Sequence, residues 1–588
     1  MKNMKIPENL NKHQLFSLFG SLILGLEFLA IFLTVSGFFY REIFICYFVF
    51  AIFLFSFVIF RNKKILQTSF VFFVVLFLLI FLITLSIRTE PTVFSGRDQG
   101  SFSEAAIRLS QNHQLSFQTT TSQEFFKIHG PGIAQNFPGF DYSQNGKLIT
   151  HFSLGYIAWL AIFYSLFGLN GFFVANGFSF FLFSIAFFSL TKLYANQKTA
   201  WLSLFFILSS FVFSWFFKFT LSENLALSLI WFGILELCLF LKFKKQNYLF
   251  LSFFSIALLA FTRIETWGFI AMFILIFFIF KKNNKNQFQK ISKIFYWFFG
   301  IFFLLYIISI KVNERFYIAS AKGLLRSFSA SEIRNNSTIS ASSYLLKIFA
   351  LYNILPFLII ALIGIIYFLI KKKYSRLLPL FIVLPTFIYL LHPGISLDHP
   401  WMLRRFTFAL IPCFIFYTAL TANQFIAKKS IFYLFSILLI GSNLLISLPY
   451  FTFSENKNLL GQTQALSEKF SANDLVLVDR LASGDGWSML SGPLNFLYGK
   501  QAVYFFNPQD LDKINLAKFS NVYLIIPNES LAAYEKNSFL EKFSKQESYS
   551  IKRTHLATFD PEKVGIIKFE LPIEITSATN GSIYLLKK

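Results

Sequence analysis

The chain has 588 residues, 55% of them hydrophobic and 14% charged, with a mean hydropathy of +0.59. That balance excludes an ordinary soluble globule: apolar runs longer than the roughly 18 residues that cross a bilayer recur from Leu15 to about Tyr450. The formal net charge of +24 fits a nucleic-acid binder only if it lies on a soluble face, so its placement is decisive.

The basic residues fall in blocks: Lys2, Lys5 and Lys12; Arg61, Lys63 and Lys64; Lys192 and Lys198; Lys242, Lys244 and Lys245; Lys281, Lys282, Lys285, Lys290 and Lys293; Lys371, Lys372, Lys373 and Arg376; Lys428 and Lys429. These hold 22 of the 53 basic residues but only Glu8 of the 29 acidic ones. Short cytoplasmic loops collect Lys and Arg, so the excess charge reports topology, and no nucleic-acid partner is expected. The N-terminal apolar stretch runs past signal-peptide length without a small-residue cleavage site and is expected to stay as a first spanning helix. Cys46, Cys238 and Cys413 all lie in apolar stretches, which offers neither a disulfide framework nor a Cys-based metal site.

With every block inside, the pattern predicts thirteen spans, near 14–40, 42–60, 68–87, 171–190, 201–217, 223–241, 247–261, 264–280, 292–310, 346–370, 376–391, 403–424 and 430–449. The apolar stretch Phe152 to Leu169 is then expected not to cross, but to lie at the interface or re-enter. The outward loops are 88–170, 218–223, 262–263, 311–345 and 392–402. In the first, an amphipathic helix runs through Ala105, Ala106, Ile107 and Leu109. Asn145-Gly146, within Phe140 to Ile149, predicts a hairpin with a type I′ turn. From Phe451 the chain reads as a soluble α/β domain, with strands near 474–479, 501–506 and 521–526, helices near 486–498 and 529–546, and strand-rich sequence from about 548.

Several outward-facing residues carry chemistry. Asp98, in Gly96-Arg97-Asp98-Gln99-Gly100, suits a general base at a membrane surface, with Arg97 favouring its ionised form and glycines opening the backbone to substrate. The alternative is a helix cap, and Ser101-Phe102-Ser103-Glu104 has the capping-box pattern. Glu223 opens another span on the same side, as a second site acid or as an acid favoured by the helix dipole. Arg263 and Glu265 sit at a very short outward turn, where charges face a polar cavity or close the turn as a local pair. Asp398-His399-Pro400-Trp401-Met402-Leu403-Arg404-Arg405 puts two guanidiniums outside, against the positive-inside trend. Lipid phosphate is their natural partner because Arg binds phosphate bidentately, with Asp398 or ordinary headgroups as alternatives. Glu27 and Glu236 lie within spans and are open to an interhelical hydrogen-bonding role. In the tail, Asp479 to Trp487 follows a strand at the place where doubly wound domains bind ligands.

The ordered set resembles the GT-C membrane glycosyltransferases. It comprises an acid in a large first outer loop, His151-Phe152-Ser153-Leu154-Gly155-Tyr156 leading to Leu166-Phe167-Gly168, Ser222-Glu223, Thr262-Arg263-Ile264-Glu265, and Arg405-Phe406 before Pro412. Within that group it looks most like the polyprenyl-phosphate-sugar-dependent protein mannosyltransferases and lipid A aminoarabinose transferases. The resemblance covers residues 68–450, with 1–67 as additional N-terminal helices and 451–588 as an extracytoplasmic α/β domain. It implies an all-α polytopic membrane fold and transfer of a sugar from a polyprenyl-phosphate donor to a hydroxyl of a glycan, lipid or protein acceptor. Asp98 and Glu223 then become the catalytic acids, and Arg97, Arg263, Glu265, Asp398, His399, Arg404 and Arg405 substrate-binding residues. The expected location is the plasma (inner) membrane, with the N-terminus cytoplasmic. Many members carry two adjacent acids where this chain has Asp98-Gln99, and a Tyr at Phe406. The first departure weakens a metal-dependent version, so no cofactor is expected; a divalent metal is compatible with the acids but not indicated. The alternative from another class is a transporter or flippase of lipid-linked glycans, which predicts paired broken helices and mid-membrane charge.

Overall fold

A computed structural model describes residues 12–61, 69–87, 89–94, 98–283, 293–329, 341–391, 398–485, 489–557 and 570–587. The helices up to residue 283 are α1 (Lys12–Ser36), α2 (Arg41–Arg61), α3 (Ser69–Ser86), α4 (Asp98–Asn112), α5 (Thr120–His129), α6 (Leu154–Phe167), α7 (Gly171–Tyr194), α8 (Gln197–Ser209), α9 (Phe211–Phe216), α10 (Ser222–Phe243), α11 (Gln246–Leu259) and α12 (Thr266–Asn283). Helical segments then cover Lys293–Val312, Ala341–Leu351, Leu355–Ile370, Leu378–Val383, Leu410–Phe425 and Lys429–Phe451. Each apolar stretch marked in the sequence is thus largely helical among the described residues. Among the described residues, five helices are long and apolar enough to cross a membrane, and three bent pairs raise that to eight if each pair is one span. The result is a multi-pass helical membrane domain followed by a sheet domain.

Basic blocks distant in sequence meet at one end of the bundle. Tyr194 Oη donates to the Ser375 carbonyl at 2.9 Å, and Asn196 Nδ2 donates to Asn423 Oδ1. The 22 residues of α10, rising about 1.5 Å each, set Lys242 roughly 30 Å from Glu223. Glu236 accepts from Ser17 Oγ at 2.7 Å, so this buried acid ties α10 to α1.

The run Leu154 to Tyr194 is long enough for one span, yet α6 folds back against the start of α7. Tyr156 Oη donates to Asn176 Oδ1 at 2.8 Å, Trp159 Nε1 donates to the Ala175 carbonyl at 3.1 Å, and the rings of Tyr164 and Phe172 lie 5.7 Å apart. Gly171 permits the reversal, since a Cβ there would stand 2.1 Å from the Phe163 carbonyl oxygen. The segment 311–345, read from sequence as an outward loop, holds the helix Glu314–Ser329, bent 89° from the preceding helix.

In the first outer loop, β1 (Gly132–Ile133), β2 (Phe140–Tyr142) and β3 (Leu148–Thr150) form an antiparallel sheet. The hairpin is where Asn145-Gly146 put it, but its turn is not type I′. Gly146 has φ +73° while Asn145 is not among the positive-φ residues, and Gly146 N donates to the Ser143 carbonyl at 3.1 Å. That is a turn followed by a left-handed glycine, which lengthens the loop beyond two residues.

The tail sheet comprises β4 (Leu475–Asp479), β5 (Gln501–Phe505), β6 (Val522–Pro527), β7 (Phe543–Leu556) and β8 (Glu574–Leu586), in the order β5-β4-β6-β8-β7. β5, β4 and β6 run parallel, and β8 and β7 add antiparallel. β4, between the parallel strands β5 and β6, is buried throughout, as expected of a parallel strand covered on both faces. The helix expected at 529–546 is cut to Leu531–Glu535, and Phe543 already begins β7. Alternation through Phe543 to Leu556 pairs the chain with β8, and tertiary pairing overrides local helix preference.

The tail docks on the first outer loop. Arg108 of α4 donates to Asn495 Oδ1 and lies over the Phe117 ring at 4.4 Å, while Asn136 Nδ2 donates to the Tyr504 carbonyl at 2.7 Å. Glu124 takes Lys518 Nζ at 2.8 Å and the Asn515 amide at 3.2 Å.

Candidate active site

Asp98 opens α4 as a first-turn acid, where the exposed amides of the helix start favour a carboxylate. The capping-box pattern at Ser101 to Glu104 does not cap this helix: Ser101 lies a turn inside it, and Glu104 faces Arg108 at 3.6 Å. Burial pushes the Glu104 carboxyl up to about 7, against the pull of Arg108. Arg97 and Gly96 lie outside the described residues.

Asp98 Oδ2 is 2.6 Å from Arg404 Nη2, and Arg404 Nε is 3.4 Å from Glu223 Oε1. Glu223 Oε1 also takes Arg263 Nη1 at 2.8 Å. Arg263 in turn forms a two-pronged pair with Glu265, at 2.6 Å through Nη2 and 3.2 Å through Nε. Tyr389 Oη donates to Glu265, and the Arg405 guanidinium stands over the Tyr389 ring at 5.6 Å. Acids and guanidiniums alternate along this chain, which is how charge survives away from water. Arg263 Nε and Nη2 and the Tyr389 hydroxyl together satisfy both oxygens of Glu265. Asp98 is the open member: 40% of its side chain is exposed, against 4% for Glu223. Asp98 is therefore the carboxylate of this array most open to its surroundings.

Other bonds explain why these residues converge. Gly155 N donates to the Phe261 carbonyl at 2.7 Å and Ser153 Oγ to the Thr262 carbonyl, so the start of α6 grips the turn carrying Arg263 and Glu265. Gly155 is required here because a Cβ would stand 2.8 Å from that same Phe261 oxygen. The turn before Glu223 is pinned by Asn176 Nδ2, which donates to the carbonyls of Phe217 at 2.8 Å and Phe219 at 2.9 Å. Next to them, buried Lys218 donates to the carbonyls of Tyr450, Phe451 and Phe453 at 2.7 to 2.8 Å, closing the end of the helix Lys429–Phe451. His151 adjoins this site. Burial lowers its ring's proton affinity, against Asp141 and Asp98.

His399 is buried, with Nδ1 3.0 Å from Tyr352 Oη, and the carbonyl of buried Asp398 accepts from Met402 N at 2.9 Å. These two residues pack the base of the segment that presents Arg404 and Arg405. Tyr389 was not foreseen from sequence, since it is one aromatic within an apolar run. In the tail, Asp479 is satisfied internally by Ser530 Oγ and Tyr534 Oη, both at 2.8 Å, and by the Leu481 amide. Among the described residues no group of three or more His, Cys, Asp or Glu is arranged around a common metal position. Asp98, Glu223 and Glu265 each face a guanidinium instead.

No protein-family model and no curated protein sequence matches the chain. Among solved structures it is similar to ArnT from Cupriavidus metallidurans bound to undecaprenyl phosphate, with TM-score 0.50 and 8% identity over 88% of this chain and 98% of that one. The oligosaccharyltransferase of Archaeoglobus fulgidus, in complex with Zn and sulfate, matches at TM-score 0.48 and 12% identity over 81% of this chain and 71% of that one. The likeness to ArnT over nearly its whole length shows that the two chains share a fold.

Proposed function

We propose that this protein is a membrane glycosyltransferase that moves a sugar from a polyprenyl-phosphate donor to a hydroxyl acceptor on the extracytoplasmic face. The observation that carries the reading is the array Asp98, Arg404, Glu223, Arg263 and Glu265. It assembles from four distant segments at the outer helix ends of an ArnT-like fold. A donor of this kind carries its own phosphate leaving group and stays in the membrane, so a site at the outer helix ends suits it. The ArnT structure contains undecaprenyl phosphate, which fits a lipid-linked donor.

In the reaction, the acceptor oxygen forms a bond to the anomeric carbon as the bond from that carbon to the phosphate oxygen breaks. Attack opposite the phosphate inverts the centre. Asp98 takes the hydroxyl proton, which typically contributes on the order of 10² to 10⁴ in rate. Arg405, which has no carboxylate partner among the described residues, holds the departing phosphate through charge-assisted bonds. Arg404 orients Asp98 and Glu223. The chemistry calls for no cofactor, since guanidiniums supply the positive charge.

The topology that goes with this reading has thirteen crossings, a cytoplasmic N-terminus, α6 confined to the outer half and the tail outside, in the plasma (inner) membrane. It is supported by the meeting of basic blocks at one bundle end and of the charge array near the other. A flippase for lipid-linked glycans would be served by charge near mid-membrane rather than by an array at the helix ends.

The test is purified protein incubated with a panel of radiolabelled polyprenyl-phosphate sugars and membrane extract. Transfer of label to a lipid, glycan or protein supports the reading. Movement of intact lipid-linked glycan across a liposome membrane, without transfer, contradicts it.

A further inference from the structure

Three hydroxyls outside the charge array join the segments that carry its two outer acids. Thr220 Oγ1 donates to the Gln99 carbonyl at 2.7 Å, and Gln99 directly follows Asp98 in the first turn of α4. Thr92 Oγ1 lies 2.7 Å from Thr220 Oγ1 and accepts from the Thr220 amide at 3.1 Å. Ser103 Oγ stands 2.8 Å from Thr220 Oγ1 and donates to the Thr92 carbonyl at 2.6 Å. Three hydroxyl protons therefore have three acceptors: the Thr220 oxygen and the carbonyls of Gln99 and Thr92. Ser103 and Thr220 are buried at 0% and 1% exposure, so water cannot substitute for a lost partner.

The Thr220 side of this junction is the fixed side. Asn176 holds the carbonyls of Phe217 and Phe219, and Lys218 is locked onto three carbonyls at the end of the last membrane helix. Glu223 is three residues beyond Thr220. The α4 turn, by contrast, is attached to this anchor through side-chain hydroxyls. We infer that Thr220 is a positioning residue for catalysis: its hydroxyl holds the Asp98 turn at a fixed distance from Glu223 and Arg404, so that the base meets the acceptor in reactive register. This rests on the proposed role of Asp98.

The test compares full-length Thr220→Val and Thr220→Ser with wild type and with Asp98→Asn, measuring kcat and donor KM in the same liposomes together with the thermal midpoint. Valine keeps the shape and removes the hydroxyl; serine keeps the hydroxyl. Misplacement of a reacting group by an ångström costs up to about 10²-fold. Thr220→Val is therefore expected to lower kcat tenfold or more, about, with donor KM unchanged, and Thr220→Ser to restore it to within about threefold. Ser103→Ala, which leaves the Thr220 to Gln99 bond intact, is the milder companion, expected to lower kcat by about threefold while folding normally. If Asp98→Asn is inactive while Thr220→Val and Ser103→Ala both turn over at the wild-type rate, the positioning role is overturned and the functional reading stands. If Asp98→Asn is fully active, the functional reading itself fails. A Thr220→Val protein with a lowered thermal midpoint but normal kcat in its folded fraction would make Thr220 structural only, and would also overturn the inference.

Discussion

Arg404 Nη2 lies 2.6 Å from Asp98 Oδ2. That contact joins the first outer loop to the last bent helix pair, and through Glu223 and Arg263 it extends to the turn after α11. Residues that the sequence offers only as separate charges at outer helix ends are one connected group. The guanidiniums in it do different work, and this yields the first prediction.

Arg263 is 10% exposed and serves the buried Glu223 and the partly buried Glu265, whereas Arg405 overlies the Tyr389 ring and pairs with no carboxylate among the described residues. Removing one partner of a buried pair typically costs about 3 to 5 kcal/mol. Arg263→Gln is therefore expected to lower the thermal midpoint and protein yield sharply. Arg405→Gln should leave stability near wild type but raise the donor concentration for half-maximal rate about tenfold, since a charge-assisted bond contributes roughly 1.5 to 3 kcal/mol. Donor titration at saturating acceptor, with and without anionic lipid, checks this. An unchanged donor curve for Arg405→Gln removes it from phosphate binding.

The topology gives a second prediction. Single cysteines at the exposed positions Asn145, Gln197 and Glu468, in a background lacking Cys46, Cys238 and Cys413, should react with a membrane-impermeant maleimide in intact cells at Asn145 and Glu468 but not at Gln197. Labelling at Gln197 would put a basic block outside and overturn the thirteen-crossing arrangement.

The tail's grip on the first loop gives a third, pH-dependent prediction. Burial alone would raise the Glu124 carboxyl, but Lys127, Lys518 and the Asn515 amide hold it down to about 2. The share of that depression supplied by Lys518 and the Asn515 amide of the tail adds docking stability that is fully present above the ordinary value near 4.5 and is lost as pH falls from there toward 2. Protease cleavage between Phe451 and Leu475, or deuterium uptake in α5, should therefore rise between pH 5 and about pH 3. In Glu124→Gln the interface should already be loose at pH 7. A wild-type interface unchanged at pH 3 would contradict the role of Glu124.

The helix positions were legible because a membrane helix must be long and apolar, a signal that needs no partner. The acids and arginines were legible because charge is rare in such a chain, so each one stands out. Their pairing was not, since Asp98 and Arg404 meet only through tertiary structure. Tyr389 and Thr220 were invisible for the opposite reason: hydroxyl-bearing residues are common in these helices, and only the bond to Glu265 or Gln99 distinguishes them. The helix expected at 529–546 failed because β7 finds a long partner in β8, which a local pattern does not register.

The central claim is that Asp98 is the base for sugar transfer from a lipid-phosphate donor. Its most direct test is the turnover of purified Asp98→Asn with a polyprenyl-phosphate sugar that the wild type uses, alongside the thermal midpoint of both proteins. Loss of a catalytic base predicts a fall of about 10² to 10⁴ in rate with the midpoint within a few degrees of wild type, because losing one partly exposed pair with Arg404 contributes only about 1 kcal/mol. Full turnover by Asp98→Asn would contradict the account.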